Sequence, residues 1–150
     1  MTDVELSSLL SDLRISANKL NSATSGVNAI IDGVEAQLTG MNLGLEYWLK
    51  SPGLDSQSLD MGTIVHTQLG FAKIGNEWCL GVRRVQVELD ERSGEWTHTE
   101  PDPSAKLQDS SREIRIKALE LIPKLIEELK ESAEKATSTI VNAKKLVGWQ

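Results

Sequence analysis

Cysteine, histidine and long apolar runs are scarce in this sequence of 150 residues, and each scarcity excludes a class of site. The single cysteine, Cys79, excludes an intramolecular disulfide and a cysteine-rich zinc or iron–sulfur centre. With only two histidines, His66 and His98, we predict no metal site and no cofactor. No run of about eighteen apolar residues offers a membrane span. Because the N-terminus is acidic and lacks the basic start of a signal peptide, we expect a cytoplasmic protein.

An excess of positive charge and the common catalytic motifs are also missing. The chain has 16 Lys and Arg against 22 Asp and Glu, and its net charge of −6 argues against nucleic acid and anionic membranes as partners. Phosphate-binding, dinucleotide-binding, metalloprotease and nucleophile-elbow motifs are absent. We therefore predict that the protein is not an enzyme. The length and the 39% of hydrophobic residues suit a single folded domain over 1–150.

The segment 1–41 is predicted to be a helix. Thr2 and Glu5 have the spacing of a capping box, which satisfies the first free N–H groups of a helix. Apolar residues then repeat every seven positions, with a weaker second row three residues later, as in a coiled coil. The first row comprises Leu6, Leu13, Leu20, Val27, Val34 and Met41. The loop-like composition of 21–26 leaves a break there open, and we favour one long helix.

A line of small residues follows another side of the same helix. It comprises Gly26, Ala29, Gly33, Ala36 and Gly40. Each glycine inside a helix costs roughly 1 kcal/mol relative to alanine, so a compensating contact is expected. The pattern predicts close approach of another helix along this line.

Residues 43–100 are predicted to form an antiparallel sheet of three to four strands. The clearest element is a hairpin in which Thr63–Ile74 and Glu77–Leu89 flank the two-residue turn Gly75-Asn76. Its register sets Gly70 opposite Gly81 and leaves a bare area where a helix could pack.

Shorter segments complete the predicted sheet. Alternation of apolar and polar residues predicts a strand over 45–49 and another near 95–99. Between the first of these and the hairpin, 51–61 is predicted to be a polar loop.

Polar side chains meet on one face of this hairpin. The register brings His66, Gln68 and Arg83 together. This cluster offers a general base or an anion site. We favour the simpler interpretation of a solvated sheet face.

The segment 104–148 is predicted to be a second helix, capped by Ser110 and Glu113 and kinked near Pro123. Its heptad positions are consistently apolar, and we expect it to pack antiparallel to the first helix. Candidate interface residues of the two helices are Leu6, Leu13, Leu20, Val27, Val34, Leu119, Ile126, Ile140 and Val147.

Arg112 and Arg115 occupy apolar heptad positions at the start of the second helix. Cations there oppose the helix dipole, so acidic neighbours such as Asp32 and Glu35 are expected. A structural ion-pair cluster is the favoured interpretation. The alternative is a site for a carboxylate or phosphate, with His66 and Arg83 as further candidate ligands.

Several short runs carry a resemblance to known proteins over roughly residues 20–135. They are Asn42-Leu43-Gly44 with Trp48, Leu69–Lys73 with Trp78, Ser111–Ala118 and Leu121-Ile122-Pro123. In these runs the sequence resembles a group of small bacterial cytoplasmic proteins with no established activity. The resemblance implies a bacterial cytoplasmic origin and no particular chemistry. The order helix, strands, helix is similar to that of prefoldin subunits, whose two helices flank β-hairpins, by analogy of layout alone.

Together these patterns predict an α+β protein with a long helix at each end and an antiparallel sheet between them. The heptad rows and the missing catalytic motifs predict a non-enzymatic assembly protein that binds a protein partner or a second copy of itself through its helical seam. Two alternatives stay open: a binder of small anions or peptide termini that uses the arginines, and a prefoldin-like holdase chaperone.

Overall fold

The computed structural model describes residues 2–60 and 62–148, and it confirms the α+β class with a long helix at each end. Helix α1 spans Asp3–Gly40 and helix α2 spans Arg112–Leu146. The strands between them are β1 (Tyr47–Trp48), β2 (Asp55–Asp60), β3 (Thr63–Ile74), β4 (Glu77–Leu89), β5 (Trp96–Thr99) and β6 (Ala105–Lys106). A short 3₁₀ turn, Leu107–Asp109, precedes α2.

Helix α1 begins at the predicted capping box and is unbroken. The Glu5 N–H donates to the Thr2 hydroxyl at 3.2 Å, and the Thr2 N–H donates to the Glu5 carboxylate at 3.0 Å. The helix has 38 residues and passes through 21–26 without interruption, so the alternative of a break there is wrong. At 1.5 Å per residue it is roughly 57 Å long. Within the described ranges neither helix offers a stretch long and apolar enough to cross a membrane.

The central hairpin has the predicted turn and register. Gly70 pairs with Gly81 and Phe71 with Leu80 across β3 and β4, and Gly75 has the positive φ of 65° that this tight turn requires. Around the hairpin the described residues form a sheet of six strands rather than three to four. β1 and β2 pair with β3, and β5 and β6 pair with β4, all antiparallel.

The predicted loop over 51–61 is wrong, because β2 lies within it and pairs with β3. Its residues from Asp55 to Leu59 are exposed, so this strand has no buried face. Without a buried face it lacks the alternation of apolar and polar residues by which strands are recognised in sequence.

The inner face of the sheet packs against both helices. Leu69, Phe71 and Leu80 are buried there, and the Phe71 ring stacks on Trp78 with centroids 5.4 Å apart. Each helix contributes one row of buried or partly buried apolar residues. They are Val27, Ile31, Val34 and Leu38 from α1 and Ala118, Leu121, Ile122, Leu125 and Leu129 from α2.

On the outer face, an indole ring fills the bare area at the two glycines. A Cβ atom added to Gly70 would lie 2.3 Å from Trp48 Cε3, and one added to Gly81 would lie 2.6 Å from Ile74 Cδ1 and 3.2 Å from the Trp48 indole. The prediction that a helix packs here is therefore wrong, since a side chain from β1 occupies the space.

The two helices run parallel where they meet, so the antiparallel packing expected from the sequence is wrong. Near the start of α2, the Arg115 guanidinium donates to the Asn28 side-chain oxygen. Farther along both helices, Leu38 and Met41 line a groove with Leu129 and Ala133. The reason lies in the connection: β6 and the 3₁₀ turn return the chain to the level of Asn28 before α2 begins, and Gln108 of that turn donates to the Asn28 carbonyl at 3.1 Å.

The N-cap of helix α2 is Ser111, one residue after Ser110, the predicted cap. The Ser111 hydroxyl accepts the Ile114 N–H at 3.3 Å, whereas Ser110 ends the 3₁₀ turn. The helix is continuous through Pro123, and the segment from 104 to 111 that precedes it is not α-helical.

The line of small residues on α1 has no helix against it. A Cβ atom added at Gly26, Gly33 or Gly40 would find nothing within 4 Å. The predicted close helix contact along this line is therefore wrong, because α1 turns its rows containing Ile31 and Leu38 towards the core instead.

Candidate functional site

The predicted interface residues separate into core residues and surface residues. Val27, Val34 and Leu119 are partly buried and pack against the hydrophobic core. Leu6, Leu13 and Leu20 are exposed, as are Ile126, Ile140 and Val147 of α2. The division falls where α1 leaves the sheet, at about Val27.

The N-terminal part of α1 before Val27 projects beyond the sheet and beyond the start of α2. Every residue from Thr2 to Ser16 is exposed. One side of this projecting segment carries a set of leucines that we call the leucine surface. It comprises Leu6, Leu9, Leu10, Leu13 and Leu20, whose exposed fractions lie between 47% and 62%. Such an apolar surface on a solvent-exposed helix is typical of a helix that pairs with another helix.

The C-terminal part of α2 projects at the opposite end of the molecule. Ile140 is 55% exposed and Val147 69%. Where α2 passes the end of α1, Ile126 lines an apolar groove of about 520 Å³ with Val34, Leu38 and Met41. The two apolar helix ends therefore point away from each other.

The two arginines at the start of α2 do not meet the acidic residues expected. Arg115 is half-buried and bonds the Asn28 amide oxygen, while Arg112 is half-buried at the first position of the helix. Glu35 instead accepts the Leu80 N–H at 3.0 Å, and Asp32 accepts from Gln108 at 2.6 Å. The predicted ion-pair cluster is therefore wrong, and Arg115 serves as a polar tie between the two helices.

The four candidate anion ligands do not form one site. Arg115 lies in the helix layer over the inner face of the sheet, whereas His66 and Arg83 lie on the outer face. The strands separate the two groups, since successive side chains of a strand point to opposite faces.

The outer-face cluster of His66, Gln68 and Arg83 lines an open cleft of about 520 Å³. Arg83 Nε donates to the Gln68 side-chain oxygen at 2.8 Å, and its Nη1 lies 3.1 Å from Glu100. The guanidinium carbon lies 4.7 Å from the centroid of the Trp48 ring, within the range of a cation–π contact. Arg83 is thus held in one orientation by three neighbours.

Sequence reasoning missed three ionisable residues of the cleft. Lys50, His98 and Glu100 line it together with the predicted cluster. Pairing of Val87 with His98 brings β5 into the cleft wall, and this register depends on the turn between β4 and β5. Val87 is apolar and its partner His98 is an exposed polar residue, so the two strands do not show matching apolar positions from which this pairing could be predicted.

Structural contacts between the sheet and the helices explain the perturbed pKa values of Glu35 and Tyr47. Burial, opposed by the Leu80 N–H, raises the pKa of Glu35. The hydrogen bond from the Tyr47 hydroxyl to Glu128, 2.6 Å long, raises the pKa of Tyr47 to about 12. Cys79 is buried, and burial raises the pKa of its thiol. Among the described residues no group of three or more His, Cys, Asp or Glu is placed to hold a metal ion.

Comparison with family models, with curated proteins and with solved structures finds no match for this chain. The resemblance to small bacterial proteins accordingly stays a prediction, and the function is inferred from the geometry alone.

Proposed function

We propose that the protein is an assembly subunit that associates with another polypeptide through the leucine surface of α1. The observation that carries this proposal is the projecting helix itself. Its leucines follow a heptad pattern but are about half exposed and lie outside the hydrophobic core, although the same heptad row continues into the core at Val27 and Val34. A helix in water gains most of its stability by burying such an apolar face, so a partner is required to cover it.

Solution mass, measured by light scattering over a concentration series, tests the proposal. Leu13 lies in the middle of the leucine surface, and Leu13→Lys places a charge there. Ile15 is a matched control, since it is 57% exposed on the same turn but points to the opposite side of α1. Wild type and Ile15→Lys are expected to exceed the 16.5 kDa of one chain, and Leu13→Lys to return to it. A single-chain mass for wild type at every concentration, or equal behaviour of both variants, would contradict the proposal.

A second candidate function is the binding of a small anion in the outer-face cleft. It is favoured by the fixed guanidinium of Arg83 and by Lys50 in the same cleft, whose lining contains one carboxylate, Glu100, among the residues that the structure describes. Inorganic phosphate, titrated while the Trp48 indole N–H is followed by NMR, tests it. A saturable shift that Arg83→Met abolishes supports this candidate, and an unchanged Trp48 signal contradicts it. The holdase alternative stays a prediction from layout alone.

A further inference from the structure

We propose that the partner of the leucine surface is a second copy of this chain, with the two α1 helices paired antiparallel about a two-fold axis over residues 3–26. This inference rests on the proposed function and specifies its partner and geometry. Three properties of α1 support it: the length of the projecting segment, the layers its leucines form, and its charges.

The length of the projecting segment matches one antiparallel register. When Leu13 lies level with Ser16 of the second copy, Asp3 lies level with Gly26, so the overlap ends just before Val27, where α1 joins the core. The pairing therefore uses all of the free helix. A register longer by one heptad would bring the second copy's N-terminus against Asp32, which already bonds Gln108.

The same register builds complete layers between the helices. Leu20 meets Leu9 of the second copy, and Leu6 meets Ala23. Together with Leu13 against Ser16, every layer then contains at least one leucine, and small residues fit beside large ones. Parallel pairing in register would instead place Ser16 against Ser16 and Ala23 against Ala23, so that two layers would contain no leucine.

Charge complementarity selects the same arrangement. Asp12 and Lys19 flank the leucine surface on one side, and neither has an opposite charge three or four residues away in its own helix. In the proposed register Asp12 lies beside the second copy's Lys19, and symmetry provides this pair twice. A register shorter by one heptad would pair Lys19 with the second copy's Glu5 but would set Asp12 against Asp12, and it would leave the helix from Leu20 onwards largely uncovered. Parallel pairing would set Asp12 beside Ala17 and Lys19 beside Thr24, without any ion pair.

Charge reversal tests the predicted pair. Asp12→Lys and Lys19→Asp each create two like-charge contacts, and each is expected to weaken dimerisation about tenfold. The double variant restores both pairs with reversed sign and is expected to recover wild-type affinity. Asn18→Lys is the matched control, because Asn18 lies on the side of α1 away from the leucine surface. Two single variants that weaken the dimer with no recovery in the double variant would overturn the proposal.

Disulfide cross-linking tests the direction of the helices. In a Cys79→Ala background, Leu6→Cys with Ala23→Cys is expected to give a covalent dimer on mild oxidation, and Leu6→Cys alone is expected to stay uncross-linked. Cross-linking by Leu6→Cys alone would indicate parallel helices, and it would overturn this inference while the proposed function stands. A mass that increases with concentration, without any cross-linking of the double-cysteine variant, would indicate that α1 pairs with a different element. That result would also overturn the inference of an antiparallel α1 pair. A wild type of single-chain mass would instead contradict the proposed function itself.

Discussion

Glu35 shows how one partly buried carboxylate covers an open edge of the sheet. β6 pairs with β4 only at Gly81 and Val82, so the backbone groups before them lack a neighbouring strand. Helix α1 supplies the partners: Glu35 accepts the Leu80 N–H, and the Thr39 hydroxyl donates to the Trp78 carbonyl at 3.4 Å. Polar atoms of an edge strand are thereby satisfied, and the edge is closed to pairing with another chain.

The raised pKa of Glu35 predicts a pH dependence of stability. Because burial raises this pKa in the folded state, folding is favoured by protonation, and the contribution of Glu35 to stability falls as pH rises from about 4.5 through the folded-state pKa. Glu35→Gln keeps an oxygen for the Leu80 N–H without a charge to bury. We expect its free energy of unfolding, relative to wild type, to increase from about pH 5 to about pH 8 in urea titrations. A difference that is constant with pH would contradict this role.

Substitution by alanine is expected to have opposite effects on stability at Gly70 and at Gly33. Gly70→Ala drives a methyl group into the Trp48 ring and to within 2.7 Å of the Tyr47 carbonyl oxygen, and should cost about 1–3 kcal/mol of stability. Gly33→Ala meets open space on an exposed helix and should add about 0.5–1 kcal/mol. Chemical denaturation measures both, and the second serves as the control for the first. Equal losses in both variants would contradict the close contact at Gly70.

The elements differ in how far sequence alone predicts them. The hairpin follows from its Gly75-Asn76 turn and alternating apolar residues, and α1 follows from its cap and heptad row, so the leucine surface is predictable too. β2 is not, because its residues from Asp55 to Leu59 are exposed and it joins the sheet through pairing to β3 without an apolar face. His98 and Lys50 enter the cleft through the placement of β5 and the end of β1, which tertiary contacts decide.

The N-cap of α2 allows a prediction about the stability of this helix. Because the Ser111 hydroxyl accepts the Ile114 N–H, Ser111→Ala removes a helix cap and should cost about 0.5–2 kcal/mol. Ser110→Ala changes the neighbouring residue, which the sequence pattern favours as the cap, and should have little effect. Thermal unfolding of the two variants compares them directly. A larger loss for Ser110→Ala would place the cap at the earlier serine.

At the scale of the whole molecule, the relative direction and stagger of the two helices determine which parts of their apolar faces are left uncovered. The two helices are parallel and staggered lengthwise, since Asn28, late in α1, meets Arg115 at the start of α2, so that α1 projects at one end and α2 at the other. Had the helices been antiparallel, as their heptad rows suggested, the rows could have covered each other over most of their length. Heptad patterns specify that a face is apolar but not which helix covers it, and here the connection through β6 decides.

Spin-label distances within one chain test this direction. Ser25, Glu113 and Glu134 are exposed, and the last two lie about 30 Å apart along α2. Because Asn28 bonds Arg115, labels at Ser25→Cys and Glu113→Cys should be the closer pair, and labels at Ser25→Cys and Glu134→Cys the more distant one. A Cys79→Ala background and dilution with unlabelled protein restrict the signal to these pairs. Antiparallel helices would reverse the order of the two distances. The free segments of both helices would then lie beside each other at one end, and α1 would have a partner within its own chain.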